Sequence, residues 1–205
     1  KKGEENHKNY LSNCGWSDLK VHELIQEKIS TQKLNLQMGN STSVRYVQLF
    51  KHLEMVKYNS NRGISGIDGS SSTASGAASI NKENTVLLTG DLGFIYDQNA
   101  LWNNNLSKKL KIIVINNQGG GIFKIIPGPS KTTYLNEFFE TSHNLKIEKI
   151  SSGFGVNYKK VDNIKEAESA IEDLLASNHS EILELFTGNV NNEEILFEYF
   201  DNIKK

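Results

Sequence analysis

The chain has 205 residues and a mass of 23.0 kDa, enough for one domain with a buried core. Its 23 basic and 24 acidic residues leave a net charge of −1, which argues against a nucleic-acid protein held by phosphate contacts. A hydrophobic fraction of 37% argues against disorder, the lone Cys14 rules out an intrachain disulfide or thiolate zinc cluster, and apolar runs such as Ile112–Ile115 are too short for a transmembrane segment.

Residues 1–16 read as a polar linker, and 17–205 as one domain. A helix is expected from Ser17 to Ile29, with Ser17 or Asp18 near its N-cap. Leu34, Leu36 and Met38 alternate with polar neighbours as in a strand. Gly39 to Ser43 form a turn into a helix carrying Val44, Val47, Leu49 and Phe50. A strand around Met55–Tyr58 enters the Gly-rich stretch Asn61–Gly69, and the small residues of Ser70–Ile80 suit a closely packed helix. Thr85–Leu88 is a strand, Ile95–Trp102 a helix, and Lys111–Ile115 a buried β-branched strand. A long irregular stretch from Asn116 to about Asn144 holds both prolines and has the length of a functional lid.

Ile164–Ala176 is a helix with one apolar face, and Glu181–Phe186 is a strand. A last helix starts at Asn191, with Glu194 placed for a capping box. Strand and helix alternate throughout. The expected fold is therefore α/β, a doubly wound, mostly parallel sheet with helices on both faces and ligands at the carboxyl ends of its strands. The polar start carries no signal peptide and no initiator Met, so a cytoplasmic piece of a longer chain is expected.

The sharpest pattern is Thr89-Gly90-Asp91-Leu92-Gly93 followed, about 25 residues after Asp91, by Asn116-Asn117-Gln118-Gly119. Each half follows a predicted strand, so a parallel sheet can bring them together. The Asp91 carboxylate, the Asn117 amide oxygen and the Gly119 carbonyl make a hard oxygen set suited to Mg²⁺ with positions open for phosphate. The amides of Gly90–Gly93 precede a helix and favour an anion. Taken singly, Gly-Asp and Asn-Asn are ordinary turns; the joint spacing is what points to a site.

This pattern resembles the cofactor motif of thiamine-diphosphate enzymes. Ser60-Asn61-Arg62-Gly63-Ile64-Ser65-Gly66-Ile67-Asp68-Gly69, with Gly39-Asn40-Ser41 upstream and Gly119-Gly120-Gly121-Ile122-Phe123 downstream, is similar to the 2-succinyl-5-enolpyruvyl-6-hydroxy-3-cyclohexene-1-carboxylate synthases of menaquinone biosynthesis. The resemblance covers only the C-terminal cofactor domain of those enzymes. It implies thiamine diphosphate, with Mg²⁺ on Asp91, Asn117 and Gly119, Mn²⁺ being able to substitute. It also implies a transferase that decarboxylates 2-oxoglutarate and adds the succinyl unit to isochorismate. Carried over by motif, Ile67 supports the bent cofactor and the Ser65 carbonyl faces its aminopyrimidine. Gly90, Asp91, Leu92 and Gly93 meet the diphosphate, Ile122 and Phe123 line the substrate side, and Ser41, Arg45 and Arg62 contact carboxylates.

Only two of the 23 basic residues are arginines, Arg45 and Arg62, and they fall in the two turns that the resemblance places at the site. Both substrates are dianions, and arginine's planar fork grips carboxylates in two-point contacts. Outside such motifs an arginine is usually a surface residue, and Ile67 alone would be core. His143 could touch substrate, but it reads better as a loop residue; His7, His22, His52 and His179 read as solvated, and Asp68 as a turn or cap. Two departures from the pattern stand out. Gly93 replaces a usual serine, and Glu140-Thr141-Ser142-His143 replaces a Gly-Thr-Pro-His-like stretch. The glutamate that promotes ylide formation in such enzymes lies in the N-terminal domain of a partner subunit, so this chain is expected to carry half a site, to act as part of a homo-oligomer and to be inactive alone. Another thiamine-diphosphate lyase or decarboxylase, or a non-catalytic Mg-diphosphate module, are the alternatives.

Overall fold

A computed structural model describes residues 2–204. Six strands form one sheet: β1 (Leu34–Met38), β2 (Val56–Ser60), β3 (Thr85–Gly90), β4 (Leu110–Asn116), β5 (Asn157–Val161) and β6 (Glu181–Phe186). Their order is β2-β1-β3-β4-β6-β5, and all five pairings are parallel. The order reverses between β1 and β3, which opens a crevice at their carboxyl ends.

Period-two alternation sorts each strand's side chains onto two faces. Val86, Leu88, Ile113, Ile115, Leu183 and Leu185 point to one face. There they meet α2 (Asp18–Ile29), α3 (Thr42–Val47) and α8 (Ile164–Ala176) through Ile25, Val44 and Ile171. Leu87, Ile112, Val114 and Ile182 point to the other face, where α4 (Ser70–Ile80), α5 (Asp91–Tyr96) and α7 (Ile147–Gly153) contribute Ala74, Ala78, Phe94 and Ile147. The expected doubly wound architecture is what forms. The central strands β3 and β4 are covered on both sides, which is why their sequences are nearly continuous in apolar residues, whereas β1, equally buried, alternates Leu34, Leu36 and Met38 with Asn35 and Gln37.

Several local expectations are corrected. Residues 2–13, expected as linker, form helix α1 (Lys2–Asn13), docked on α9 (Asn192–Ile203). Leu11 packs there with Leu196 and Tyr199, and His7 Nδ1 meets Tyr199 Oη at 2.8 Å. The helix is polar on most of its surface because a narrow stripe is all it buries. The helix placed at Ile95–Trp102 starts earlier: α5 begins directly at Asp91, and a 3-10 turn follows at Gln98–Leu101. The irregular stretch contains α6 (Ile122–Ile125) and two short turns of helix. At α9, Asn191 donates its Nδ2 to Glu194 Oε2 at 2.9 Å, and no capping box forms.

His22 is not solvated. It is buried against Tyr46 with ring centroids 4.7 Å apart, its Nδ1 bonds the Asp18 carbonyl at 2.7 Å, and burial pushes its pKa down to about 4. At the amino-terminal rim of the sheet, buried Lys111 donates Nζ to the carbonyls of Lys108, Ser177 and His179 at 2.8, 2.7 and 2.5 Å. No described helix is long and apolar enough to cross a membrane.

Candidate active site

The carboxyl ends of β1, β3 and β4 surround a cavity of about 420 Å³. Every residue assigned a cofactor, metal or substrate role from the sequence lines it. The turn after β1 contributes Ser41, and α3 contributes Arg45. The Gly-rich stretch after β2 contributes Arg62, Ser65 and Ile67. Gly90, Asp91, Leu92 and Gly93 come from the β3–α5 junction. Asn117 and Gly119 follow β4, and Ile122 and Phe123 open α6.

Asp91 is almost fully buried and anchors the floor. Its Oδ1 accepts from the Leu92 amide at 2.8 Å, and its Oδ2 accepts from the Gly119 amide at 2.9 Å. Gly119 is therefore drawn against Asp91 by its own backbone. A Cβ at Gly119 would lie 2.7 Å from the Glu140 carbonyl, so a side chain there would push the lid away. Asn117 donates Nδ2 to Asp18 Oδ2 at 2.9 Å. The amide is planar, so its Oδ1 faces away from Asp18. Among the described residues no cluster of three His, Cys, Asp or Glu side chains could hold a metal. A carboxylate, an amide oxygen and a carbonyl are the donor types that suit Mg²⁺, and these three groups fit it.

The arginines are fixed at one end each. Arg45 Nη1 donates to the Ser41 carbonyl at 2.9 Å, and Arg62 Nη1 donates to Asn40 Oδ1 at 2.9 Å. Asn40 is held in turn by donating Nδ2 to the carbonyls of Asn61 and Gly66 at 2.7 and 2.5 Å. Neither guanidinium pairs with a carboxylate among the described residues, whereas Lys20, Lys28, Lys33, Lys51 and Lys124 all do.

Strain gathers at the same rim. Among the described residues, the four non-glycine residues with positive φ lie beside the crevice or in the lid: Ser41 (74°), Ser65 (58°), Gln118 (66°) and Thr141 (52°). Such conformations cost roughly 1–3 kcal/mol each and collect at functional sites. Gly93, where a serine was the usual residue, sits tightly: a Cβ there would lie 2.9 Å from Thr89 Oγ1 and 3.5 Å from the Ile67 carbonyl.

The stretch from 119 to 144 folds back over the crevice. Gly120 N donates to the Glu140 carbonyl at 2.5 Å, Lys124 pairs with Glu140 at 2.6 Å, and Phe123 packs on Phe139 with centroids 5.6 Å apart. His143, read from sequence as a loop residue, donates Nε2 to Asp91 Oδ2 at 3.1 Å, and this bond raises its pKa. Sequence reasoning offered Asp18 only as an N-cap candidate and gave it no place at the site. It is fully buried, accepts from Thr187 Oγ1 at 2.5 Å and from Asn117, and burial pushes its pKa up to about 6 against those two bonds. Its partners lie far along the chain, and no local pattern signals them.

Residues 37–185 match the family described as thiamine pyrophosphate enzyme, C-terminal TPP binding domain. The chain belongs to this family. Among curated proteins it is similar to the 2-succinyl-5-enolpyruvyl-6-hydroxy-3-cyclohexene-1-carboxylate synthase of Christiangramia forsetii, 41% identical over 99% of this chain and 35% of that one. It is also 44% identical to the enzyme of that name from Flavobacterium johnsoniae, over 96% of this chain and 35% of that one. The chain thus spans about a third of the length of these relatives. Among solved structures, benzoylformate decarboxylase from Polynucleobacter necessarius superimposes with a TM-score of 0.68 over 84% of this chain and 33% of that one, at 17% identity. That likeness concerns the fold. The matched segment contains the crevice at the carboxyl ends of β1, β3 and β4 and its Asp91–Asn117–Gly119 floor.

Proposed function

We propose that this TPP-binding domain serves a synthase that decarboxylates 2-oxoglutarate and joins the succinyl unit to isochorismate, giving 2-succinyl-5-enolpyruvyl-6-hydroxy-3-cyclohexene-1-carboxylate. The supporting observation is the pair of arginines. They are the only two in the chain, they border the same cavity as Asp91 and Asn117, and neither is neutralised by a described carboxylate. A monoanionic 2-oxo acid needs one such contact, and two dianionic substrates need several.

Thiamine diphosphate, when bound, supplies a nucleophilic carbon and an electron sink for losing CO₂ from a 2-oxo acid. The chain's own residues bind and orient. Asp91, Asn117 and the Gly119 carbonyl would hold Mg²⁺ for the diphosphate, and the Gly93 amide, in the first turn of α5, would be a donor for the same anion. Ile67 would support the cofactor, and the Ser65 carbonyl would accept from its amino group. Arg45 and Arg62 fix substrate carboxylates, Ser41 adds a hydroxyl, and Ile122 and Phe123 exclude water. The proton relay that activates the cofactor comes, in this reading, from a glutamate in the N-terminal, pyrimidine-binding domain of a second subunit. The working enzyme is then a cytoplasmic homo-oligomer.

The test is an assay of the full-length protein with 2-oxoglutarate and isochorismate, beside pyruvate and benzoylformate. Turnover of 2-oxoglutarate that requires isochorismate supports the reading. Turnover of benzoylformate or pyruvate in its place overturns the substrate assignment and keeps the cofactor.

A further inference from the structure

Asn117 can ligate a cation only through Oδ1, yet its amide has two faces that differ by a half-turn about χ2. A ligand of this kind needs something that selects the correct face. Asp18, the first residue of α2, is positioned to do so. It lies outside the segment matched to the family and 99 positions before Asn117. Its side chain is buried, and an ionised carboxylate only accepts hydrogen bonds. Oδ2 faces Asn117 Nδ2 at 2.9 Å, so the NH₂ group must point to Asp18 and the amide oxygen away from it.

Two further bonds tie Asp18 down, and a third links their partners. Thr187 Oγ1 donates to its Oδ1 at 2.5 Å, and its own amide donates to Asn192 Oδ1 at 2.7 Å. Asn192 Nδ2 then donates to the Thr187 carbonyl at 3.1 Å. The network joins the start of α2, the end of β4 and the β6–α9 connection. A helix cap does not explain it, because Ser17 already caps α2 by accepting from Lys20 N at 3.2 Å.

We propose that Asp18 is a positioning residue for the metal: it holds the Asn117 amide with Oδ1 turned toward the cation beside Asp91. This rests on the reading that Asp91, Asn117 and Gly119 carry the metal. Residues that orient metal ligands typically change metal affinity 10–100-fold when removed.

The experiment measures Mn²⁺ affinity by electron paramagnetic resonance on the full-length protein with thiamine diphosphate in excess, with circular dichroism to confirm folding. Asp18→Ala is expected to weaken Mn²⁺ binding about 10–100-fold. Asp18→Asn, which loses the charge but can still turn an oxygen to Asn117 while Thr187 accepts from its NH₂, should stay within about threefold. In an Asn117→Ala background, Asp18→Ala should add nothing. If Asp18→Ala unfolds the protein, Asp18→Ser takes its place, since a short hydroxyl suits a helix start and does not reach Asn117. Wild-type Mn²⁺ affinity in a folded Asp18→Ala or Asp18→Ser variant overturns the proposal. So does Asp18→Asn binding as weakly as Asp18→Ala, which would make Asp18 a charge rather than an orienting acceptor. Failure of the underlying metal reading looks different: Asp91→Ala would then bind Mn²⁺ as the wild type does.

Discussion

His143 Nε2 reaches Asp91 Oδ2 at 3.1 Å, joining the end of the lid to the carboxylate at the floor of the crevice. The same oxygen also accepts from the Gly119 amide, so both ends of the 119–143 stretch are gathered on one atom.

The lid should therefore loosen when that bond is removed. In His143→Ala, amide hydrogen exchange is expected to rise across residues 134–145 and to stay at wild-type levels in β4. The strand is held by its own ladder, whereas the lid is held by few contacts. Unchanged exchange throughout would show that Gly120, Lys124 and Phe123 suffice to keep it closed.

Asp91→Ala in the full-length protein is expected to abolish Mg-dependent binding of thiamine diphosphate. It removes the one anionic ligand and leaves two neutral oxygens. Calorimetric titration reads this directly, and wild-type affinity in the variant would remove Asp91 from the metal.

Arg45→Lys and Arg62→Lys should keep the cofactor and lose turnover. Lysine keeps the charge but not the planar fork that Asn40 and the Ser41 carbonyl hold in place. Both arginines are exposed in this chain; once a partner domain covers the crevice, loss of one charge-assisted contact costs about 2–4 kcal/mol, or roughly 30- to 1000-fold in rate. Wild-type rates in both variants would make the two arginines ordinary surface residues.

His22 makes the fold acid-sensitive. Burial lowers its pKa from 6.5 to about 4, so the folded state resists the proton that the unfolded chain accepts. Its contribution is fully present above pH 6.5 and is lost as pH falls toward 4, on the order of 3 kcal/mol over the whole window. His22→Phe keeps the stack on Tyr46 and removes the titration. Urea unfolding at pH 7.5 and 4.5 should show a smaller drop in stability for the variant than for the wild type. Equal drops would assign the acid sensitivity to other groups.

The isolated 205-residue chain is expected to fold, to bind thiamine diphosphate weakly and to show no decarboxylation. Its crevice is open on the side where the partner's domain would sit, and solvent screens an exposed Mg-diphosphate contact. Measurable carboligation by this chain alone would mean that it holds its own proton-relay acid.

What could be read from the sequence was what local chemistry dictates. The β-branched run of β4 and the Gly-Asp and Asn-Asn pairs at strand ends located the sheet and the floor of its crevice. The two rare arginines located its walls. What escaped depends on contacts between distant segments. Helix α1 buries a narrow stripe on α9, and the edge strand β5 buries only Val161 fully, so neither carries a strong apolar period. Asp18 reads as a helix cap and His22 as a solvated side chain until Asn117, Thr187 and Tyr46 arrive from elsewhere in the chain. The lid histidine was visible as a residue, but its partner was not.

Lys111 gives the two rims of the sheet different engineering value. With three backbone carbonyls converging on its ammonium, the amino-terminal rim is closed by the main chain and carries none of the crevice residues. The neighbouring connection around Asn103–Asn105 leads into β4 from that rim, a full strand length away from Asn117. A fluorophore or short affinity tag placed there would report on folding and assembly while leaving the opposite rim untouched. The same cargo spliced in after β1, β3 or β4 would land in the crevice.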